Sequence, residues 1–136
     1  MKEWVFPALG TFIFWGFWGF VPKITTRYIS PKSAIVYEVL GGFLVAIIVM
    51  YSMNFRPEIN PKGFAMAITT GVFGFLGALC YLLAVSKGPV SLVVTLTALY
   101  PVLSVLLAVI ILNEPITLKQ GVGIILAVGA MLLIAT

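Results

Sequence analysis

The stretch Ser33–Ser52 constrains the fold more than any other part of the chain. It contains one charged residue, Glu38, and its other side chains are apolar, small or uncharged. About 20 such residues form a helix about 30 Å long, which matches the hydrocarbon thickness of a bilayer. Charged residues make up 9% of the 136 residues and hydrophobic residues 62%, whereas soluble domains carry about 25% charge. The sequence therefore predicts an integral membrane protein.

Four breaks divide the sequence into five predicted transmembrane helices. Ser30-Pro31 and Asn60-Pro61 each combine an N-cap residue with a helix-starting proline, and Gly88-Pro89 pairs a helix stop with a helix start. Thr117-Leu-Lys-Gln120 fits a capping box. The predicted helices are Trp4–Arg27, Lys32–Met53, Lys62–Ser86, Val90–Leu112 and Leu118–Ala135. We expect one domain over residues 1–136, an all-α bundle whose short turns join antiparallel neighbours.

The chain lacks two kinds of side chain that enzymes often use for catalysis. The chain has no His, and all four of its acidic residues are Glu. Metal sites and Ser-His-Asp triads lack their usual residues, so we expect no enzyme, no metal and no cofactor. The net charge of +4 comes from cations at the ends of apolar segments. Such cations face lipid headgroups, so we expect the bilayer and not nucleic acid as the partner.

The cations divide evenly between the two membrane faces of a five-helix chain. One face receives Lys2, Arg56, Lys62 and Lys119, and the other receives Lys23, Arg27, Lys32 and Lys87. Because the excess of Lys and Arg on one face sets the orientation, an even division leaves no preference. We expect insertion in both orientations and an antiparallel pair of copies. The alternative is that charges near helix ends act unequally, so that one orientation prevails.

Glu38 is the predicted site for a proton and for a cationic group of the substrate. A carboxylate in hydrocarbon costs about 3 kcal/mol, and such residues mark substrate, ion or proton sites. Ala34 and Gly42 lie one turn to either side and leave room beside it. The alternative is a carboxylate that reaches the membrane boundary and pairs with Arg27 or Lys32.

Aromatic residues in the spans are candidates for the walls of a binding cavity, because aromatic faces attract organic cations. The candidates are Trp15, Trp18, Tyr37, Tyr81 and Tyr100. We assign Trp15, Tyr37 and Tyr100 to the site, and Thr97 as a hydrogen-bonding group. The alternative is that these aromatic residues face lipid or anchor the helices at the membrane boundary.

Pro101 is a candidate hinge, and small residues of the last helix are candidate contacts between two copies. Pro101 lies in the middle of the fourth predicted helix and removes the hydrogen bond to the Thr97 carbonyl. It is either a hinge for alternating access or a static kink. Gly121, Ala127 and Gly129 are predicted contacts between two copies, since small residues let helices approach closely.

Several motifs together resemble the EamA domain of the drug/metabolite transporter superfamily. They are the turn Lys87-Gly88-Pro89-Val90-Ser91, Tyr100-Pro101, the turn Asn113-Glu114-Pro115-Ile116-Thr117, and the last helix with Gly121 and Gly129. Most such proteins contain ten helices arranged as two inverted five-helix repeats. The resemblance therefore implies half of a ten-helix inverted-repeat fold, a single EamA-like domain that pairs with a second copy.

The resemblance also implies a secondary transporter that moves a small organic solute or metabolite by alternating access, in a prokaryotic plasma membrane. A narrower alternative is a proton-coupled exporter of toxic organic cations, similar to the small multidrug resistance proteins. Those relatives carry their essential glutamate on the first helix, whereas Glu38 lies on the second. A structural membrane subunit that transports nothing is the other alternative.

Overall fold

The computed structural model describes residues 3–135, with side chains as far as residue 133. Lys2, which enters the charge count above, lies outside the described residues. The chain divides into two compact units, residues 1–87 and residues 88–136. Unit 1 contains α1 (Val5–Thr25), α2 (Pro31–Ser52) and α3 (Pro61–Lys87). Unit 2 contains α4 (Val90–Thr97), α5 (Tyr100–Leu112) and α6 (Leu118–Ala135).

The helices begin where the sequence signals predict. Ser30 caps α2, because its Oγ accepts a hydrogen bond from the Ser33 amide at 3.3 Å. Asn60 accepts from the Gly63 amide at 2.9 Å in the same way at the start of α3. In the capping box before α6, the Thr117 amide donates to the Gln120 side chain at 2.8 Å, and the Gln120 amide donates to the Thr117 hydroxyl at 3.3 Å. These bonds satisfy amides that lack a partner within the helix.

The predicted span Val90–Leu112 is confirmed as one long apolar segment, and Pro101 interrupts it so that it consists of two helices, α4 and α5. Regular structure stops after Thr97 and resumes at Tyr100. Pro101 has no amide hydrogen, and its ring collides with the carbonyl one turn earlier. At this point two backbone amides donate to the carbonyl three residues earlier instead of four. The Leu99 amide donates to the Leu96 carbonyl at 3.3 Å, and the Val102 amide donates to the Leu99 carbonyl at 3.0 Å.

The buried residues of unit 1 lie at one end of its three helices. Leu82 is 1% exposed and Val85 is fully buried, near the end of α3. Ala34, near the start of α2, and Ala78 are also buried, as is Pro22 near the end of α1. Elsewhere the helices carry exposed Phe, Leu, Ile and Val side chains, which is the surface that a lipid-embedded protein presents to acyl chains.

The all-helical prediction is confirmed, and residues 3–135 form helices and turns without a strand. Four segments are long and apolar enough to cross a bilayer: Val5–Thr25, Pro31–Ser52, Pro61–Lys87 and Val90–Leu112. The last of these joins α4 and α5. The apolar α6 is shorter, at 18 residues or about 27 Å. The chain is therefore an integral membrane protein.

Candidate functional site

Glu38 lies on α2 about two turns from its first residue, Pro31, which is about 10 Å along the helix axis. Its side chain is partly exposed. Its Oε1 accepts a hydrogen bond from the indole Nε1 of Trp18 on α1, at 2.5 Å. The membrane carboxylate therefore has a polar partner contributed by a neighbouring helix.

Tyr81 completes the cluster from α3. Its ring lies 5.1 Å from the Trp18 ring, centroid to centroid, with 32° between the ring planes. Its hydroxyl donates a hydrogen bond to the Gly19 carbonyl on α1. Tyr81 is buried, whereas Trp18 is 39% exposed. Trp18, Glu38 and Tyr81 thus bring together one side chain from each helix of unit 1, and we call them the Trp18–Glu38–Tyr81 cluster.

Small residues allow the three helices to approach closely at this cluster. Ala34 lies one turn before Glu38 and Ala78 one turn before Tyr81, and both are buried. Residues at these spacings share a helix face. Farther along α2, a Cβ atom at Gly42 would lie 3.4 Å from the Phe75 ring, whereas one at Gly41 would meet nothing within 4 Å. The space expected beside Glu38 is therefore occupied on the Ala34 side by neighbouring helices.

Lys23 holds α1 against α3 one turn beyond Gly19. Its Nζ donates a hydrogen bond to the Val85 carbonyl at 2.7 Å. That carbonyl has no helical donor, because the residue four positions later is Pro89, which lacks an amide hydrogen. A cation at the C-terminal end of α3 also complements the helix dipole. Lys23 and Tyr81 therefore fix how α1 faces α3, and with it the position of Trp18.

The residues predicted for the site do not all meet at this cluster. Glu38 is part of it, but Trp15, one turn before Trp18, is 56% exposed, and Tyr37 is 62% exposed. Thr97 and Tyr100 belong to unit 2, where the Thr97 hydroxyl donates to the carbonyls of its own helix, including Val93 at 2.9 Å. Trp18 and Tyr81 are cavity candidates in the sequence that were not assigned to the site. The burial of Pro22 and Val85, one turn farther along α1 and α3, favours them, but that burial is a feature of the structure and not of the sequence.

The predicted pairing residues lie on α6. A Cβ atom added at Gly121 or at Gly129 would meet nothing within 4 Å. Ala127 lines a groove of about 450 Å³ within unit 2, between α5, the turn before α6, and α6 itself. Glu114 and Gln120 are polar residues of this groove. The turn is closed by Asn113 in the left-handed conformation, at φ 54°, and by the Glu114 amide, which donates to the Ala108 carbonyl at 3.3 Å.

Comparisons with known proteins identify one family model and several similar proteins. The model of the EamA-like transporter family matches residues 2–136. An uncharacterised protein of Methanocaldococcus jannaschii is 30% identical over 90% of this chain and 89% of its own length. An uncharacterised transporter of Archaeoglobus fulgidus is 32% identical over 93% of this chain and 45% of its own length.

The uncharacterised transporter YyaM of Bacillus subtilis is 30% identical over 94% of this chain and 43% of its own length. The chain thus spans less than half of each of the two transporters. No solved structure matches. The family match covers nearly every residue, including the glycine and proline turns on which the resemblance was based. The chain belongs to the EamA-like transporter family.

Proposed function

We propose that the chain is one half of a secondary transporter, a single EamA-like domain over residues 1–136 that moves a small organic solute by alternating access. Two copies would form the pathway, in antiparallel orientation. The relatives support this, because the Methanocaldococcus jannaschii protein has a similar length whereas the two named transporters are more than twice as long. The even division of Lys and Arg between the two faces supports the antiparallel pair. The archaeal and bacterial relatives support a prokaryotic plasma membrane.

The observation that carries the proposal is the Trp18–Glu38–Tyr81 cluster. A carboxylate inside a span is costly, and here it accepts a hydrogen bond from the indole N–H of Trp18, whose ring packs at a tilt against Tyr81. Glu38 can exchange its indole partner for a proton or for a cationic group. The partly exposed Trp18 ring adds cation–π attraction for the same group. The three side chains thus supply both charge and an aromatic face.

This chemistry favours a solute that carries an amine or another cationic group, and it also fits the narrower function of proton-coupled export of organic cations. In that mechanism the carboxylate binds the proton and the cation in turn, never together. Binding of the cation then releases a proton. Gly121, Ala127 and Gly129 would lie at the contact between the copies, and Pro101 would be the hinge.

Reconstitution into proteoliposomes tests the function. Uptake of labelled amines, amino acids and other small solutes is measured with the unaltered protein, with E38Q and with E58Q. Glu58 lies in the exposed turn between α2 and α3, so E58Q makes the same chemical change outside the spans. We expect transport that E38Q abolishes and E58Q preserves. If none of the solutes is transported, a structural subunit is the better interpretation. If E38Q transports normally, the chain is a transporter in which Glu38 does not bind the solute or the proton.

The antiparallel pair has its own test. Reporter tags at both ends, read from each side of the membrane, would give a mixed population for two orientations. A uniform population would exclude the antiparallel pair while leaving transport by a parallel pair open.

A further inference from the structure

One end of unit 1 gathers four cations. Arg27 and Lys32 flank the turn between α1 and α2. The hydrogen bond from Lys23 to the Val85 carbonyl brings the end of α3 to the end of α1. Lys87 follows Val85 by two residues and is the last residue of α3. We call Lys23, Arg27, Lys32 and Lys87 the basic end of unit 1.

The acidic residue nearest to this end in the sequence is Glu38, six residues beyond Lys32, and its Oε1 accepts a hydrogen bond from Trp18. Residues 20–37 and 83–113 contain no Asp or Glu. Lys23 is half-buried, and its ammonium group donates a hydrogen bond to the Val85 carbonyl. Arg27, Lys32 and Lys87 are exposed. The opposite end of unit 1 differs, because Glu58 lies between Arg56 and Lys62 in the turn there.

We propose that the basic end of unit 1 binds the headgroups of anionic phospholipids. Arg27, Lys32 and Lys87 lie where α1, α2 and α3 end or begin, which for membrane-spanning helices is the depth of the lipid phosphates. Tyr28, 81% exposed, stands in the same turn, and tyrosine is enriched at this boundary. Two or three cations at the same membrane boundary favour phospholipids with a net negative charge over zwitterionic ones.

The proposal commits to lipid and not to free phosphate. A lipid phosphate is delivered at the right depth and its acyl chains lie along the exposed apolar faces of the helices. Free inorganic phosphate is not held at this depth and has no acyl chains to contact the helices. Dissolved salt also screens its attraction to the exposed cations. The proposal does not depend on transport or on Glu38.

The chain offers a closely matched control. Lys32 follows Pro31 at the start of α2, and Lys62 follows Pro61 at the start of α3. Each is preceded by an exposed arginine in the adjoining turn, Arg27 or Arg56. The variants R27Q/K32Q and R56Q/K62Q therefore remove the same two side-chain types from equivalent local positions at opposite ends of unit 1.

The experiment measures the rise in Tm when dioleoyl phosphatidylglycerol or dioleoyl phosphatidylcholine is titrated into the protein in dodecylmaltoside micelles. The ratio of the two apparent affinities gives the preference for anionic lipid. At about fivefold per cation, R27Q/K32Q should reduce this preference about 25-fold, while R56Q/K62Q should leave it within about twofold. The charge-preserving R27K/K32R should retain it, which separates lost charge from damaged folding.

Salt and phosphate provide measurements that need no variant. The preference of the unaltered protein should largely disappear in about 1 M salt, where the Debye length is about 3 Å. The proposal is overturned if R27Q/K32Q and R56Q/K62Q lose the preference equally. It is also overturned if the unaltered protein shows no preference, or if inorganic phosphate alone raises Tm as much as phosphatidylglycerol does.

Discussion

Removing the indole N–H of Trp18 while keeping an aromatic ring should weaken unit 1 through Glu38. In W18F the ring next to Tyr81 remains, but the hydrogen bond to the Glu38 carboxylate is lost. Hydrogen bonds to charged groups contribute about 1.5–3 kcal/mol. Because both partners of this bond are partly exposed, we expect the low end of this range, about 1.5 kcal/mol.

A double-mutant cycle isolates this bond from the packing of the ring. E38L removes both the charge and the hydrogen-bond acceptor. In the E38L background W18F should therefore lose only its packing, whereas in the presence of Glu38 it should cost about 1.5 kcal/mol more. The free energy of unfolding is measured by titrating SDS into dodecylmaltoside micelles and following helix content by circular dichroism. W4F, at the other end of α1, is the control and should behave identically in both backgrounds. An equal cost of W18F with and without Glu38 would refute the hydrogen-bond account.

Three further changes probe the rest of the structure. K23M should lower the free energy of unfolding by about 1–2 kcal/mol, because it removes the hydrogen bond that the Lys23 ammonium group donates to the carbonyl of the buried Val85. K23R should recover most of this loss in the same SDS titration. P101A supplies an amide that can bond to the Thr97 carbonyl, so amide hydrogen exchange at Leu99 and Val102, which bond to carbonyls three residues earlier, should slow; unchanged exchange would mean that the break has another cause. T117A removes half of the capping box before α6 and should cost about 1 kcal/mol, whereas T117S should restore it.

The helices and their starts could be predicted because the signals are local. Ser30, Asn60 and Thr117 bond to amides only three residues away, so each motif carries its own structure. Pro101 shows the limit of such reasoning. Its missing amide was recognised, but a single predicted span Val90–Leu112 does not reveal whether the helix bends or stops for two residues.

The sequence predicted the acidic residue of the site but did not select its aromatic neighbours. Glu38 stood out because it is the one charge in an apolar stretch, and no neighbour is needed to recognise that. Choosing Trp18 over Trp15, one turn earlier on the same side of α1, required the level at which α1 meets α3. The bonds from Tyr81 to Gly19 and from Lys23 to Val85 set that level across 62 positions in the sequence. A sequence pattern records which residues share a helix face, but not which of them meet side chains of a neighbouring helix.

The attachment of α1 near its C-terminal end has a mechanical consequence. Its hydrogen bonds to α3 involve Gly19 and Lys23, while the helix extends back to Val5, a lever arm of about 21 Å. A tilt of about 10° around Gly19 would carry the far tip about 4 Å sideways while shifting the Trp18 backbone by only a few tenths of an ångström. A tilt of α1 about this attachment would thus leave the indole on its carboxylate.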